Sequence, residues 1–235
     1  MGSNQVLGES RASFLGRVRE ALGKDKAGAG KDVVWSESAP EVNEDIFRLC
    51  QADDDLVGRF EKEATGVGMI VSVVEKDGAR DVIRGLFGKY KTKKVVKGWC
   101  DKLTNLELEG LVSEVGAELF VPAGEANFEG QYDAQIGLTD VAAALAETGT
   151  LVMESSELSR GSSLVPEVHL AVVRESDLVA DMIDYWVRFK GVGNVDQPSS
   201  KVFVTGPSKT ADIEGVLIKG VHGPREVEIV VVKGM

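Results

Sequence analysis

The sequence predicts a layered α/β protein: a mostly parallel sheet between helical layers, α/β/α, preceded by a separate N-terminal helix. Two observations carry the prediction. Apolar strand-like runs alternate with segments of helical period for most of the length. Several of those runs are continuously apolar, as strands buried on both faces must be.

Taken in order, Phe14, Leu15, Val18, Ala21 and Leu22 recur at helical spacing, with Arg11, Arg17, Arg19 and Glu20 on the other face, and Gly23 ends the helix. Residues 24–32 (KDKAGAGKD) are small, charged and aperiodic, and read as a linker. The chain therefore divides into residues 1–32, helix and linker, and residues 33–235, the main domain. Val42, Ile46, Phe47 and Cys50 suggest a helix, as do Leu56, Val57 and Phe60. Residues 69–74 (MIVSVV) form a strand. Val82, Ile83, Leu86 and Phe87 mark a helix, 94–98 (KVVKG) a strand, 106–115 a helix and 118–121 (ELFV) a strand. Thr139 is placed to cap a helix over 140–146. Strands follow at 151–154 and 169–173, then a helix over 177–189 with Ile183 and Trp186 on its apolar face. Strands at 201–205 and 227–232 bracket a helix over 211–218.

Composition excludes several classes. No apolar run approaches the ~20 residues that a membrane span needs. The first residues, MGSNQV, carry no apolar signal core, and Val6 stands where a myristoylation motif wants Ser or Thr. The expected compartment is cytoplasmic. The net charge of −11 repels phosphate backbones and argues against general nucleic-acid binding. Cys50 and Cys100 are too few for a disulfide framework or a four-thiolate cluster, so both are expected as buried thiols and no cofactor is expected in this chain.

The familiar nucleotide motifs fail. Gly66-Val67-Gly68 precedes a strand instead of following one, and Gly191-Val192-Gly193 has Asp196 where a third glycine belongs. No Gly-Lys pair is followed by Ser or Thr. His169 and His222 have no Cys or carboxylate at metal spacing, so no metal site is expected.

Two segments remain. In VFVTGPSKTADIEGVLIKGVHGP (202–224) a strand ends at Thr205, Gly206 and Pro207 turn the chain, and Ser208 or Thr210 caps the expected helix, with Asp212 in its first turn. The free amides of that helix start would bind a small anion, with Lys209 adding charge; an ordinary capped corner is the alternative. In GLTDVAAALAETGT (137–150) Glu147 precedes a glycine turn, where it faces either a cleft or solvent. His222 lies in a tight Gly-Val-His-Gly-Pro loop, and His169 enters an apolar strand, where it reads as structural.

From about Gln135 onward the chain resembles the lactate-utilisation (LUD) domain family, of the LutC/YkgG type. The matching residues are Gly137, Thr139, Glu147-Thr148-Gly149-Thr150, Pro166 with His169, the stretch Gly206 to Glu214, and Gly220 to Pro224. Lys209 stands where many members have Arg, which keeps the charge and loses the planar fork. The resemblance implies a NagB/RpiA/CoA transferase-like α/β/α fold. It also implies a subunit role in oxidising L-lactate to pyruvate beside two iron–sulfur partner subunits, with the clusters on the partners. If the two polar turns face one cleft, Glu147 is the candidate acid/base. Thr148, Gly149, Thr150, Gly206, Ser208, Lys209, Thr210, Asp212 and His222 would surround a small anionic ligand. The competing expectation is a stand-alone α/β enzyme on a small acyl or phosphorylated anion, as CoA transferases and folate cyclo-ligases of that architecture are.

Overall fold

The computed structural model describes residues 10–21, 48–98, 101–122, 129–155, 160–189, 198, 200–211 and 215–235. The chain separates into two units, Met1–Phe47 and Arg48–Met235. The described part of the first is helix α1 (Arg11–Ala21), along which the Arg17 guanidinium lies 6.0 Å from the Phe14 ring.

The second unit is built on strands β1 (Ile70–Glu75), β2 (Lys94–Lys97), β3 (Glu118–Phe120), β4 (Ile136–Thr139), β7 (Val168–Arg174) and β12 (Glu226–Lys233). They form one sheet in the order β1-β12-β7-β4-β2-β3, and every adjacent pair is parallel. Successive side chains alternate between its faces. On one face, Ile136, Leu138, Leu170, Val172, Val230 and Val232 pack under Ile83 and Phe87 of α3 (Ala79–Lys89) and Leu111 and Val112 of α4 (Leu108–Glu114). On the other, Ala171, Val173, Ile229 and Val231 meet Phe60 and Ala64 of α2 (Leu56–Gly66). The N-terminus of α2 is capped by Asp55, whose carboxylate accepts from Gly58 N at 3.0 Å.

Beside α2 the second face is covered by a smaller sheet. Its strands β5 (Ala143–Leu145), β6 (Thr150–Ser155), β8 (Leu178–Val179) and β9 (Ser200–Val204) run in the order β8-β5-β6-β9. The β5–β8 pair is parallel and the other two are antiparallel. Short helix α6 (Met182–Phe189) packs on it, with Tyr185 fully buried against Ala143, Leu145 and Val152. The α/β architecture with a parallel central sheet flanked by helices is the one expected.

Three expected helices are corrected. Residues 140–146 are not helical: Thr139 belongs to β4 and Ala143–Leu145 is a strand paired on both sides. Alanine's helix propensity, worth under ~1 kcal/mol per residue, is outweighed because two ladders close on a segment whose residues 143–146 are all buried. The 177–189 segment is a turn, strand β8 and then α6, which Asp181 caps by accepting from Asp184 N at 2.8 Å. Within α6, Tyr185 turns inward while Ile183 and Trp186 are 38% and 50% exposed, reversing the expected face. In the 211–218 segment the described residues are not helical: Ala211 and residues 215–217 are turn or loop, with Gly215 at φ +70°, and β11 (Ile218–Lys219) pairs antiparallel with β10 (Lys209–Thr210).

Most of the helix expected over 42–50 lies outside the described residues; Arg48 to Cys50 are loop, with Cys50 buried. Cys100 also lies outside them. Among the described residues no helix is long and apolar enough to cross a membrane.

Candidate functional site

The antiparallel pairing of β6 with β9 sets Leu151 opposite Val204. That register carries Thr150 and Thr205 to the same end of the ladder, where their Oγ1 atoms are 2.8 Å apart. Thr148 joins them, its Oγ1 2.7 Å from that of Thr150. The result is a line of three hydroxyls, each able to donate one proton and accept others. They border a cleft of about 280 Å³ whose other walls are Leu145, Glu147, Met182 and Phe203.

The β5–β6 turn is fixed by Gly149, which sits at φ +62° directly on α2. A β-carbon there would lie 2.2 Å from Ala64 N, so only glycine allows the turn to press against the helix backbone. Glu147 is held in the same turn: its N–H donates to Ala180 O at 2.9 Å, and its Oε1 accepts from Leu49 N at 3.4 Å. Its side chain is half-buried and lines the cleft.

Beyond Thr205 the chain wraps the C-terminal end of α2. Gly206, at φ +103°, lies against the Val67 carbonyl, and Lys209 Nζ donates to that same oxygen at 2.8 Å. The last turn of α2 has no basic residue of its own, so Lys209 supplies the cation that a helix C-terminus favours. Of the residues expected at an anion site over 206–214, Gly206 and Lys209 are thus applied to α2. The charge of Lys209 is directed at a carbonyl. Asp212 lies outside the described residues.

Ser208 links the two C-terminal motifs. Its N–H donates to Pro224 O at 2.9 Å, its carbonyl accepts from Gly220 N at 3.0 Å, and its Oγ accepts from His222 N at 3.3 Å. His222 is exposed and enters this contact through its backbone, while Thr210 is half-buried in the ribbon. The structure thus brings Glu147, Thr148 and Thr150 to one cleft, and Ser208 to His222. Gly206 and Lys209 are applied to α2. Sequence reasoning passed over Thr205, Phe203 and Met182 as cleft residues; the one available signal was a hydroxyl ending the apolar run KVFVT.

His169, on β7, is fully buried, and its Nε2 is 2.8 Å from Thr139 Oγ1. Burial disfavours the imidazolium and pushes its pKa down to about 4, so the ring is neutral at physiological pH.

Fold and cleft together define an α/β protein with a helix-flanked parallel sheet and an appended small sheet that, with α6, lines a pocket bordered by hydroxyls. The LUD domain family profile matches residues 57–232, and the chain belongs to that family. It is 27% identical over 234 residues to Lactate utilization protein C of Bacillus subtilis (strain 168), covering 95% of this chain and 96% of the relative. Lactate utilization protein C of Bacillus licheniformis is 29% identical over 238 residues, covering 95% and 96%. The fold matches the crystal structure of a DUF162 family protein from Deinococcus radiodurans with a TM-score of 0.57 at 21% identity, covering 76% of this chain and 96% of that one.

Proposed function

We propose that this chain serves lactate utilisation as a subunit of a complex that oxidises L-lactate to pyruvate, and that the Thr148–Thr150–Thr205 cleft holds the small carboxylate. Support for the first part comes from LUD membership and from relatives named Lactate utilization protein C that align along nearly the whole chain. The observation that carries the second is the line of hydroxyls beside Glu147. Hydroxyl donors suit a carboxylate, and the apolar wall of Leu145, Met182 and Phe203 suits a methyl group.

In this reading Glu147 accepts the proton of the lactate hydroxyl. Oxidation also releases a second proton and two electrons; iron–sulfur clusters to carry the electrons belong to partner subunits. Lys209 is a positioning residue: it ties the chain beyond Thr205 to α2 and so keeps Thr205 beside Thr150.

Growth on L-lactate as sole carbon source tests the proposal. Deleting this chain should abolish growth; wild type should restore it, and Glu147→Gln should not. Normal growth of the deletion strain overturns the lactate role. Full rescue by Glu147→Gln overturns the proton transfer.

A further inference from the structure

The sheet has a second place where a ligand is expected, away from the threonine cleft. The chain leaving β2 runs outward to β3, whereas the chain leaving its neighbour β4 returns towards β7. The two strands therefore part at a topological switch point, and open α/β sheets bind ligands in the crevice outside the strand ends there. The carboxyl ends concerned are Gly98, whose N–H continues the pairing onto Leu138 O at 2.8 Å, and Thr139.

Beside these ends stand two buried polar atoms without a hydrogen-bond partner among the described residues. The short helix α5 (Gly161–Leu164) lays Ser162 across the sheet. A β-carbon on Gly137 would lie 1.7 Å from the Ser162 carbonyl, and one on Gly98 would lie 2.5 Å from Ser162 Oγ and 2.8 Å from Thr139 Cγ2. Two glycines thus make room for one serine. Ser162 is 0% exposed and His169 1%, yet neither Ser162 Oγ nor His169 Nδ1 has a hydrogen-bond partner among the described residues. Both neighbour Thr139: Ser162 Oγ shares with the Thr139 methyl group the space over Gly98, and His169 makes the Nε2 contact. Packing alone does not call for this arrangement, because a buried hydroxyl and a ring nitrogen left unpaired both cost stability.

The chemistry of the cluster selects its ligand. Thr139, Ser162 and a neutral His169 offer hydroxyl and imidazole groups but no charge. The neighbouring lysines are engaged: Lys97 with Glu109 at 2.6 Å, and Lys102 with Val141 O and Asp177 at 2.8 and 3.3 Å. Such a set suits an uncharged oxygen and is poorly matched to a phosphate. We infer that Ser162, Thr139 and His169 form a second binding site, at the carboxyl ends of β2 and β4, for the hydroxyl or carbonyl oxygen of a small hydroxy or oxo compound.

Side-chain ¹⁵N NMR tests this directly, because the chain has two histidines and His222 serves as the internal reference. The probes are L-lactate, pyruvate, hydroxyacetone and, as the analogue without the oxygen, propionate. At least one oxygen-bearing probe should shift His169 Nδ1 saturably while His222 stays still, and propionate should leave His169 unmoved. Ser162→Ala should weaken that binding by about tenfold. Thr150→Val should leave it unchanged, which separates this site from the threonine cleft and its failure from failure of the lactate reading. Overturning results are a His169 signal that no probe moves, an equal response to propionate, or undiminished affinity in Ser162→Ala. If Ser162→Ala does not fold, the wild-type comparison of L-lactate with propionate still decides.

Discussion

The two faces of the central sheet are covered by different means. One lies under α3 and α4, and its side chains, among them Leu138, Leu170, Val172 and Val230, are mainly apolar, with the buried Glu228 held by Lys89 of α3 at 2.6 Å. The other is shared between α2, the small sheet and α5, and there Gly137, Thr139 and His169 replace aliphatic residues on β4 and β7. The Glu147–Thr150 turn reaches α2 on that same side. A helix presents a convex apolar stripe and seals a sheet evenly. Strands and tight turns leave room for hydroxyls and for close backbone contact through glycine. The helical face is therefore packed mainly by aliphatic side chains, and the mixed face gathers glycine, hydroxyl and imidazole groups.

The largest expected effect tests the tightness of the mixed face. Gly137→Ala forces a methyl group onto the Ser162 carbonyl and should destabilise the protein by about 4 kcal/mol; denaturant unfolding within ~1 kcal/mol of wild type would break the contrast.

Next is acid stability. His169 is neutral when folded, with a pKa near 4, and regains an ordinary value of about 6.5 when unfolded. The unfolded state thus binds the extra proton between those values, and stability should fall by about 3 kcal/mol as pH drops from 6.5 to 4. His169→Gln should flatten that limb. Leu170→Ala, on the helical face, should lower the whole curve by about 3 kcal/mol without changing its slope. Equal slopes in wild type and His169→Gln would remove the distinction.

A smaller effect concerns the hydroxyl line. Thr150→Val leaves Thr148 and Thr205 without their shared partner and should cost about 1–2 kcal/mol, with weaker L-lactate binding measured by calorimetry. The smallest is Lys209→Ala, an exposed contact on the end of α2 that should cost under about 1 kcal/mol in thermal unfolding. A loss several times larger would make Lys209 part of the core framework instead of a surface tie.

The legible parts of the fold were those where burial and local preference agree. The runs MIVSVV, HLAVV and VEIVVV are apolar at every position or nearly so, and lie in three adjacent strands of the parallel sheet. The helix Ala79–Lys89 shows its buried Ile83 and Phe87 one turn apart. The ETGT and GPSK segments were recognisable as polar turns, yet their partners were not. Thr205 becomes a cleft residue only through the β6–β9 register, and Lys209 meets α2 through a contact with Val67, 142 residues away in the chain.

By itself, the sequence determined the order of layers, the parallel sheet and the places where polar turns interrupt it, since these follow from hydrophobic period and from glycine and hydroxyl placement along the chain. The tertiary structure alone decided that AAL in 143–145 is a strand, that Ile183 and Trp186 face outward, that Ser162 lies over Gly98 and Gly137, and that His169 meets Thr139. The physical reason is that such outcomes depend on ladder hydrogen bonds and close contacts between residues far apart in the chain. These exceed the small local propensities, and no local pattern encodes them.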